Sequence, residues 1–279
     1  KGKPAIEQPP LEQRPAVGIY HPDAPHTFAT LAGYESWLAS RGVVQAPRVG
    51  ILFFKGLLDH DETAPVDAMI RALEKRDLAP VPIFGWPLSK AEPYFAREGK
   101  AAVELMMLVD AVMPGPENGQ IFEKYGLHAM NLMTTAATEA EWRKAESGLP
   151  PGRLPIQVGN PEHSGVSEPI LIAAAAPKAE GGKPVPVQAQ VELAAGRAAR
   201  WVVLRKKPNQ EKKLALIYFN NPAGKATLGA SYLDLIPSLR NVVERLGKEN
   251  YQIGDRLPDA ERLKKLLLLS GRNVGEYAP

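Results

Sequence analysis

An alternation of apolar runs and amphipathic helical stretches between residues 48 and 113 limits most strongly what this chain can fold into. Residues 48–54 (RVGILFF) and 105–113 (LMMLVDAVM) are typical of strands buried on both faces of a parallel sheet. A third run, residues 79–84 (APVPIF), contains two prolines that favour an edge position or a very short strand. Between the first run and this one, apolar residues recur at helical spacing from Val66 to Leu73. This order of strands and helices predicts a right-handed parallel α/β unit.

A second α/β unit is predicted near the end of the sequence. Residues 214–219 (LALIYF) have the pattern of another buried strand, and an apolar stripe from Leu235 to Leu246 predicts the helix that follows it. We therefore predict an α/β fold with two Rossmann-like parallel-sheet lobes that carry helices on both faces and are joined by a turn-rich segment. The expected parts are an extended Pro-rich arm at 1–15, a first α/β lobe at 16–150, a turn-rich connecting segment at 151–186, and the start of a second α/β lobe at 187–279 that continues in the natural chain.

Charge and composition exclude several classes of protein. The chain has 279 residues, 44% of them hydrophobic, and its 34 Lys and Arg against 31 Asp and Glu give a net charge of +3, too small for a nucleic-acid partner. No apolar run reaches the roughly 18 residues that cross a membrane, so we expect no transmembrane segment. The absence of cysteine excludes disulfides and thiolate metal sites. We expect a cytoplasmic protein, or a periplasmic one if Lys1 follows a cleaved signal peptide.

The loop at residues 220–234 (NNPAGKATLGASYLD) carries the clearest candidates for ligand binding. It leaves the carboxyl end of a predicted strand and enters a predicted helix, which is where ligands bind in open α/β sheets. Asn220, Asn221 and Tyr232 offer hydrogen-bonding groups, and Lys225 offers a cation. The alternative interpretation is a glycine loop that only turns the chain.

The same loop departs from the common nucleotide-binding patterns. A Walker A loop would need glycine where Phe219 stands and a hydroxyl residue where Ala226 stands. The sequence also contains no G-x-G-x-x-G pattern. We therefore expect no ATP site in this chain.

A cluster of acidic residues and a histidine lies between two apolar runs. Glu162, His163 and Glu168 are our candidates for catalysis, with His163 as a metal ligand, because imidazole and carboxylate groups bind divalent metals and transfer protons. Glu162 and His163 are adjacent and would diverge on a strand. A hydrophilic surface turn is therefore the alternative.

A second histidine-containing loop comes earlier in the chain. His21, Asp23 and His26 lie within six residues, a spacing at which His21 and His26 could both bind a metal. A proline-stiffened turn whose polar residues cap the next helix would look the same.

Longer stretches resemble a known family. Residues 17–42 (VGIYHPDAPHTFATLAGYESWLASRG) and 47–84 (PRVGILFFKGLLDHDETAPVDAMIRALEKRDLAPVPIF) resemble the amino-terminal portion of the large subunits of cobaltochelatase and magnesium chelatase. Residues 138–170 (TEAEWRKAESGLPPGRLPIQVGNPEHSGVSEPI) and 213–251 (KLALIYFNNPAGKATLGASYLDLIPSLRNVVERLGKENY) are similar to later stretches of the same proteins. The resemblance extends over nearly all of residues 16–279.

This resemblance implies an amino-terminal fragment of a chelatase-like large subunit. Such subunits bind a tetrapyrrole, either a porphyrin or a corrin precursor, and insert or remove a divalent metal with the help of separate AAA-type ATPase subunits. Cobalt, magnesium and iron all remain open as the metal. By the same resemblance, Glu162, His163 and Glu168 would lie near the macrocycle, and Lys225 would pair with a carboxylate or acetamide group of the ring.

The resemblance has one departure. Ala226 and Thr227 stand where members similar at this loop often carry His-Asn, which removes a possible metal-binding imidazole. This departure argues against metal chemistry at the loop. Independently of it, two alternatives to a ring-binding enzyme component stay open: a non-catalytic module for a small ligand, and an α/β scaffold that only docks partner subunits.

Overall fold

The computed structural model describes residues 14–110, 117–217, 233–254 and 257–270. The chain divides into two compact units, and the first of them ends at Arg205. Among the described residues, no helix is both long enough and apolar enough to cross a membrane.

The first unit is built on one seven-stranded, mostly parallel sheet with the order β1-β3-β2-β6-β7-β8-β9. Five neighbouring strands are parallel, and β1 and β9 pair antiparallel at the two edges. A separate hairpin is formed by β4 and β5. The strands are β1 Gly18–Ile19, β2 Arg48–Phe53, β3 Ala79–Phe84, β4 Ala96–Arg97, β5 Lys100–Ala101, β6 Leu105–Val109, β7 Ala129–Thr135, β8 Val166–Ala175 and β9 Pro184–Pro186. This sheet confirms the predicted α/β class.

Helices connect the strands and cover the sheet. The α-helices are α1 Leu31–Ser40, α2 Lys55–Asp59, α3 Ala64–Glu74, α4 Leu88–Phe95, α5 Glu117–Lys124, α6 Glu139–Lys144, α7 Asn160–His163, α8 Gln188–Lys206, α9 Leu235–Lys248 and α10 Ala260–Ser270. A π-helical turn, Pro155–Gly159, runs directly into α7.

The sheet is buried on both faces. Alternate residues of β2 point to opposite sides, so Ile51 and Phe53 pack with α3 and α8, whereas Leu52 packs with α1, α4 and α5. Both faces of a parallel sheet need such a cover, which explains why β2 is almost continuously apolar. The predicted strands at 48–54 and 79–84 and the predicted helix from Val66 to Leu73 are confirmed.

The structure differs from the predicted boundary between the lobes. Residues 151–186 do more than connect, because they contain β8, which pairs with β7 inside the sheet. Helix α8, predicted to open the second lobe, packs on the same sheet through Val191, Ala194 and Ala198. Pro169 and the alanines at the end of β8 weaken the strand signal in this stretch, since proline interrupts a strand and alanine favours helix.

The second unit contains α9 and α10. Of the strand predicted at 214–219, residues 214–217 are described; they form neither strand nor helix, and Ile217 is 95% exposed. A second parallel-sheet lobe therefore stays a prediction. The predicted ligand residues Asn220, Asn221, Lys225 and Tyr232 lie outside the described residues.

Candidate functional site

The strand order of the first unit indicates a ligand site at the carboxyl ends of its parallel strands. The chain passes from β2 to its neighbour β3 on one side and then returns to β6 on the other side of β2. Ligands in open α/β sheets bind outside the carboxyl ends of the strands at such a reversal of direction. The carboxyl ends of β2 and β6 therefore mark the candidate site, which we call the carboxyl edge.

Two aromatic side chains lie at this edge. Phe54 follows β2 directly and Trp86 comes two residues after β3, and their ring centroids are 6.0 Å apart at an angle of 37°. Phe54 is 36% exposed and Trp86 is half-buried. Together with Leu52, Phe53 and Val109 they line a shallow apolar notch. The edge therefore offers aromatic surface where the strands end.

A polar network fixes the backbone beside the notch. Asp110 has a φ of 47°, a conformation that aspartate tolerates better than most residues, and it follows β6 directly. Its carboxylate accepts hydrogen bonds from the backbone N–H of Thr134 (2.8 Å), from the hydroxyl of Thr134 (2.5 Å) and from the side-chain amide of Gln157 (3.3 Å). The Asn131 amide donates to the carbonyl oxygen of Gln157 at 2.6 Å. These bonds anchor the π-helical turn to the ends of β6 and β7.

Asp67 is a partly buried acid in the first turn of α3. The chain reaches α3 from the carboxyl end of β2 through the short helix α2. The hydroxyl of Thr63 donates to Asp67 Oδ2 at 3.1 Å, and the hydroxyl of Tyr20 is 3.4 Å from Thr63 Oγ1. Asp67 Oδ1 is buried and has no hydrogen-bond partner among the described residues. Burial raises the pKa of Asp67, and burial also raises the pKa of Tyr20. Asp67 can therefore hold a proton at a higher pH than an exposed aspartate does.

Sequence reasoning missed these groups. Phe54 and Trp86 extend apolar strand runs and look like further core residues, while Asp110 falls inside the predicted strand 105–113. The available signal was their position, because side chains immediately after parallel strands collect at the carboxyl edge.

Glu162 and His163 lie away from the carboxyl edge. Both lie in α7, and both are exposed. β8 begins at Val166 and is parallel to β7, so the residues just before it lie at the amino edge of the sheet, opposite the aromatic pair. Glu162 and His163 therefore lie on the opposite side of this sheet from the groups at its carboxyl edge.

Glu168 belongs to a different cluster from His163. Its carboxylate accepts hydrogen bonds from Trp201 Nε1 (2.6 Å) and from the Arg197 guanidinium (2.8 Å), and it lies 3.1 Å from His128 Nε2. The His128 ring stacks on Trp201 with centroids 4.0 Å apart. Burial acts to raise the pKa of Glu168, but the hydrogen bonds from Arg197 and Trp201 outweigh it and the pKa lies below its ordinary value.

A β-bulge directs Glu168 toward α8. Between β7 and β8 the register shifts so that Glu168 and Pro169 together face only Asn131. Glu168 also has a φ of 56°, in the left-handed region. Bulge, backbone conformation and hydrogen bonds together make this carboxylate a polar link between β8 and α8, in addition to the apolar packing of α8 on the sheet.

His21, which was predicted as a metal ligand together with His26, lies in a network of hydrogen bonds and ion pairs. Ligand atoms of His21, Asp23 and Glu74 lie within 4.8 Å of one another, the only such group among the described residues. However, Arg71 donates to both carboxylates, and Arg41 donates to Asp23 at 2.8 Å. The hydrogen bond from Arg71 holds the pKa of Asp23 well below its ordinary value, against the effect of burial. The guanidinium groups of Arg41 and Arg71 thus already neutralise the carboxylates that a metal cation would need as ligands.

The ring nitrogens of His21 are also in use. The backbone N–H of Asp23 donates to Nδ1 at 3.2 Å, which assigns the proton to Nε2, and Nε2 then donates to Glu74 at 3.2 Å. Burial lowers the pKa of His21 and favours this neutral form. His26 is exposed, and its ring lies against Phe28 at 5.2 Å. The geometry fits a hydrogen-bonded ion network better than a metal site formed by His21 and His26.

Nearly the whole chain is similar to subunits of metal chelatases. It is 29% identical over 265 residues to the chloroplastic magnesium-chelatase subunit ChlH of Oryza sativa subsp. indica, covering 87% of this chain and 19% of that protein. It is 25% identical over 297 residues to the aerobic cobaltochelatase subunit CobN of Sinorhizobium sp., covering 99% of this chain and 23% of that protein. The chain thus spans about a fifth of the length of the curated relatives that it matches.

The fold has a counterpart among solved structures. The catalytic subunit of cobaltochelatase from Mycobacterium tuberculosis matches with a TM-score of 0.65 and 22% identity, over 94% of this chain and 22% of that one. The sequence model of the CobN/magnesium chelatase family matches residues 1–277, which include every strand described above. The chain therefore belongs to the CobN/magnesium chelatase family.

Proposed function

We propose that this chain is the part of a chelatase large subunit that contacts a tetrapyrrole, a porphyrin or a corrin precursor, while a divalent metal is inserted or removed. Its similarity to subunits of magnesium chelatase and cobaltochelatase supports a role in metal chelation. The observation that carries the proposal is the pair Phe54 and Trp86 at the carboxyl edge, at the reversal of strand order. Cobalt, magnesium or iron would be the substrate metal, and AAA-type ATPase subunits would be the energy-supplying partners.

The chemistry of a tetrapyrrole suits this edge. The ring is flat and apolar on both faces, and its carboxylate side chains are anionic. Aromatic side chains stack on such faces, and stacking adds to the free energy gained from burying apolar area. Metal insertion also releases the N–H protons of the ring, so groups that take up protons assist the step. Asp67, whose pKa is raised by burial, is the described residue of this region that is best suited to that role.

Spectroscopic titration tests the proposal. The chain is titrated with metal-free and with metal-loaded porphyrin while the Soret band is recorded. We expect a saturable red shift at equimolar stoichiometry. A titration that stays linear, as with a protein that only adsorbs porphyrin, would reject ring binding by this chain.

A second function is supported by a separate surface. Leu193, Val203 and Leu204 of α8 are 45%, 65% and 37% exposed, and exposed apolar side chains grouped on one element mark contact surfaces. On this reading the chain is a scaffold that docks partner subunits. Copurification with chelatase ATPase subunits, lost in Val203→Asp, combined with a failed porphyrin titration, would favour the scaffold.

A further inference from the structure

We infer that Phe54 and Trp86 form the platform on which one flat face of the macrocycle rests, and that Lys55 pairs with one of its carboxylates. This inference rests on the proposed function and specifies its contact residues. The ligand class is a planar aromatic macrocycle that carries carboxylate groups at its rim.

The sheet register places the two rings side by side. Phe53 pairs with Phe84, so Phe54 and Gly85 leave the sheet next to each other. Gly85 has a φ of 113°, and a Cβ at this position would lie 2.2 Å from the carbonyl oxygen of Ala16. Only glycine fits this turn, which brings Trp86 next to Phe54.

The core does not require these two rings to be aromatic. Phe53 and Phe84, one residue or two before them, are 2% and 0% exposed and fill the space between the sheet and its helices. Phe54 is 36% exposed, by contrast, and Trp86 is packed only partly against the core. An aromatic pair that is only partly packed, at the topological ligand position, is better explained by a ligand with aromatic faces than by packing alone.

Lys55 provides the complementary charge. It follows Phe54 in the sequence, and its ammonium group lies 2.7 and 2.5 Å from the two carboxylate oxygens of Asp59, one helical turn away. An exposed ion pair of this kind contributes little to stability, so it opens easily for a competing carboxylate. Lys55 can therefore exchange Asp59 for a ring carboxylate without disturbing the fold.

The test compares variants on two porphyrin probes. Phe54→Leu keeps apolar volume but removes the aromatic face, and Trp86→Phe keeps a smaller ring, so both should fold. We expect Phe54→Leu to weaken binding of metal-free protoporphyrin about tenfold, and Trp86→Phe to weaken it less. Trp142→Phe is the matched control, because Trp142 is also half-buried but lies on α6. It should bind as the unsubstituted chain does.

The charge contact is tested separately. Lys55→Gln should weaken binding of protoporphyrin but leave binding of its dimethyl ester unchanged, because the ester has no carboxylate to pair with. Melting curves establish that each variant is folded. If the unsubstituted chain binds porphyrin but Phe54→Leu and Lys55→Gln bind equally well, the platform is wrong while the proposed function stands. If the unsubstituted chain binds neither probe, the proposed function itself fails.

Discussion

At the scale of single residues, Glu168 shows how one side chain can join two elements. It receives hydrogen bonds from Trp201 and Arg197 of α8 while it lies in β8. Glu168→Ala would leave the half-buried indole N–H without its acceptor, which costs about 1–3 kcal/mol of unfolding free energy. Chemical denaturation of the chain measures this loss.

Glu162→Ala provides the control for that prediction. Glu162 is exposed in α7, and substitutions at such positions change stability by at most about 0.5 kcal/mol. Equal stability of the two variants would show that the Glu168 cluster contributes nothing to the fold. Its assignment as a stabilising link between β8 and α8 would then be wrong.

Two histidines, the buried His21 and the half-buried His128, predict how stability depends on pH. Burial lowers the pKa of His21 and of His128 below the ordinary value of 6.5, with partial compensation from Glu74 and Glu168. As pH falls through 6.5, the unfolded chain therefore binds protons that the folded chain does not bind, and the free energy of unfolding decreases. Denaturation at pH 7.5 and at pH 5.5 should show lower stability at the acidic pH.

His128→Gln isolates one of these contributions. Glutamine cannot take up a proton, so the stability difference between the two pH values should shrink in this variant. Carboxylates with a lowered pKa, such as Glu168, lose their contribution only below about pH 4.5 and do not interfere. An unchanged difference would mean that His128 titrates normally in the folded protein.

Short sequence patterns predicted local backbone structure better than they predicted which residues form a functional site. The pair Thr138 and Glu141 indicates a capping box, and the structure confirms it. The histidine clusters were less informative, because adjacency in sequence does not reveal which edge of a sheet a residue occupies. His163 and Glu168 are five residues apart, yet β8 begins between them and Glu168 turns toward α8.

At the scale of elements, two helical glycines predict opposite effects of the same substitution. A Cβ on Gly119 in α5 would lie 2.5 Å from the backbone carbonyl oxygen of Ser164, so α5 packs closely against the turn before β8. A Cβ on Gly196 in α8 would meet only the end of the Arg76 side chain, at 4.0 Å. Backbone cannot move aside as easily as a flexible side chain.

We therefore expect Gly119→Ala to destabilise the chain and Gly196→Ala to stabilise it by up to about 1 kcal/mol, the intrinsic helix preference of alanine over glycine. Thermal unfolding of both variants under identical conditions checks this. A stabilised Gly119→Ala variant would contradict the close contact between α5 and Ser164.

The strands that were predicted and those that were missed differ in their residues. β2, β3 and β6 are dense in large apolar side chains. β7 contains Asn131 and ends in threonines, and β8 contains Pro169 and three alanines, so neither has the continuous pattern of a buried strand. Their place in the sheet comes from tertiary pairing, which local propensity does not report.

At the scale of the whole molecule, the first unit is built on a mostly parallel sheet, and the carboxyl and amino ends of its parallel strands differ in chemistry. The carboxyl edge has the aromatic pair Phe54 and Trp86 and the carboxylate of Asp110, whereas the amino edge has the exposed Glu162 and His163. The central claim is that the carboxyl edge is the functional one. It belongs to a chain that covers about a fifth of its curated relatives, so the remaining contacts to a ring would come from other parts of such a protein.

Hydrogen–deuterium exchange with and without metal-free porphyrin tests this claim most directly. A bound ring slows amide exchange where it rests on the backbone and restricts local opening. The account predicts slower exchange in peptides that contain residues 54–60 and 85–90, with no change in peptides that contain residues 160–165. Protection limited to residues 160–165, or protection of neither edge at saturating porphyrin, would contradict it.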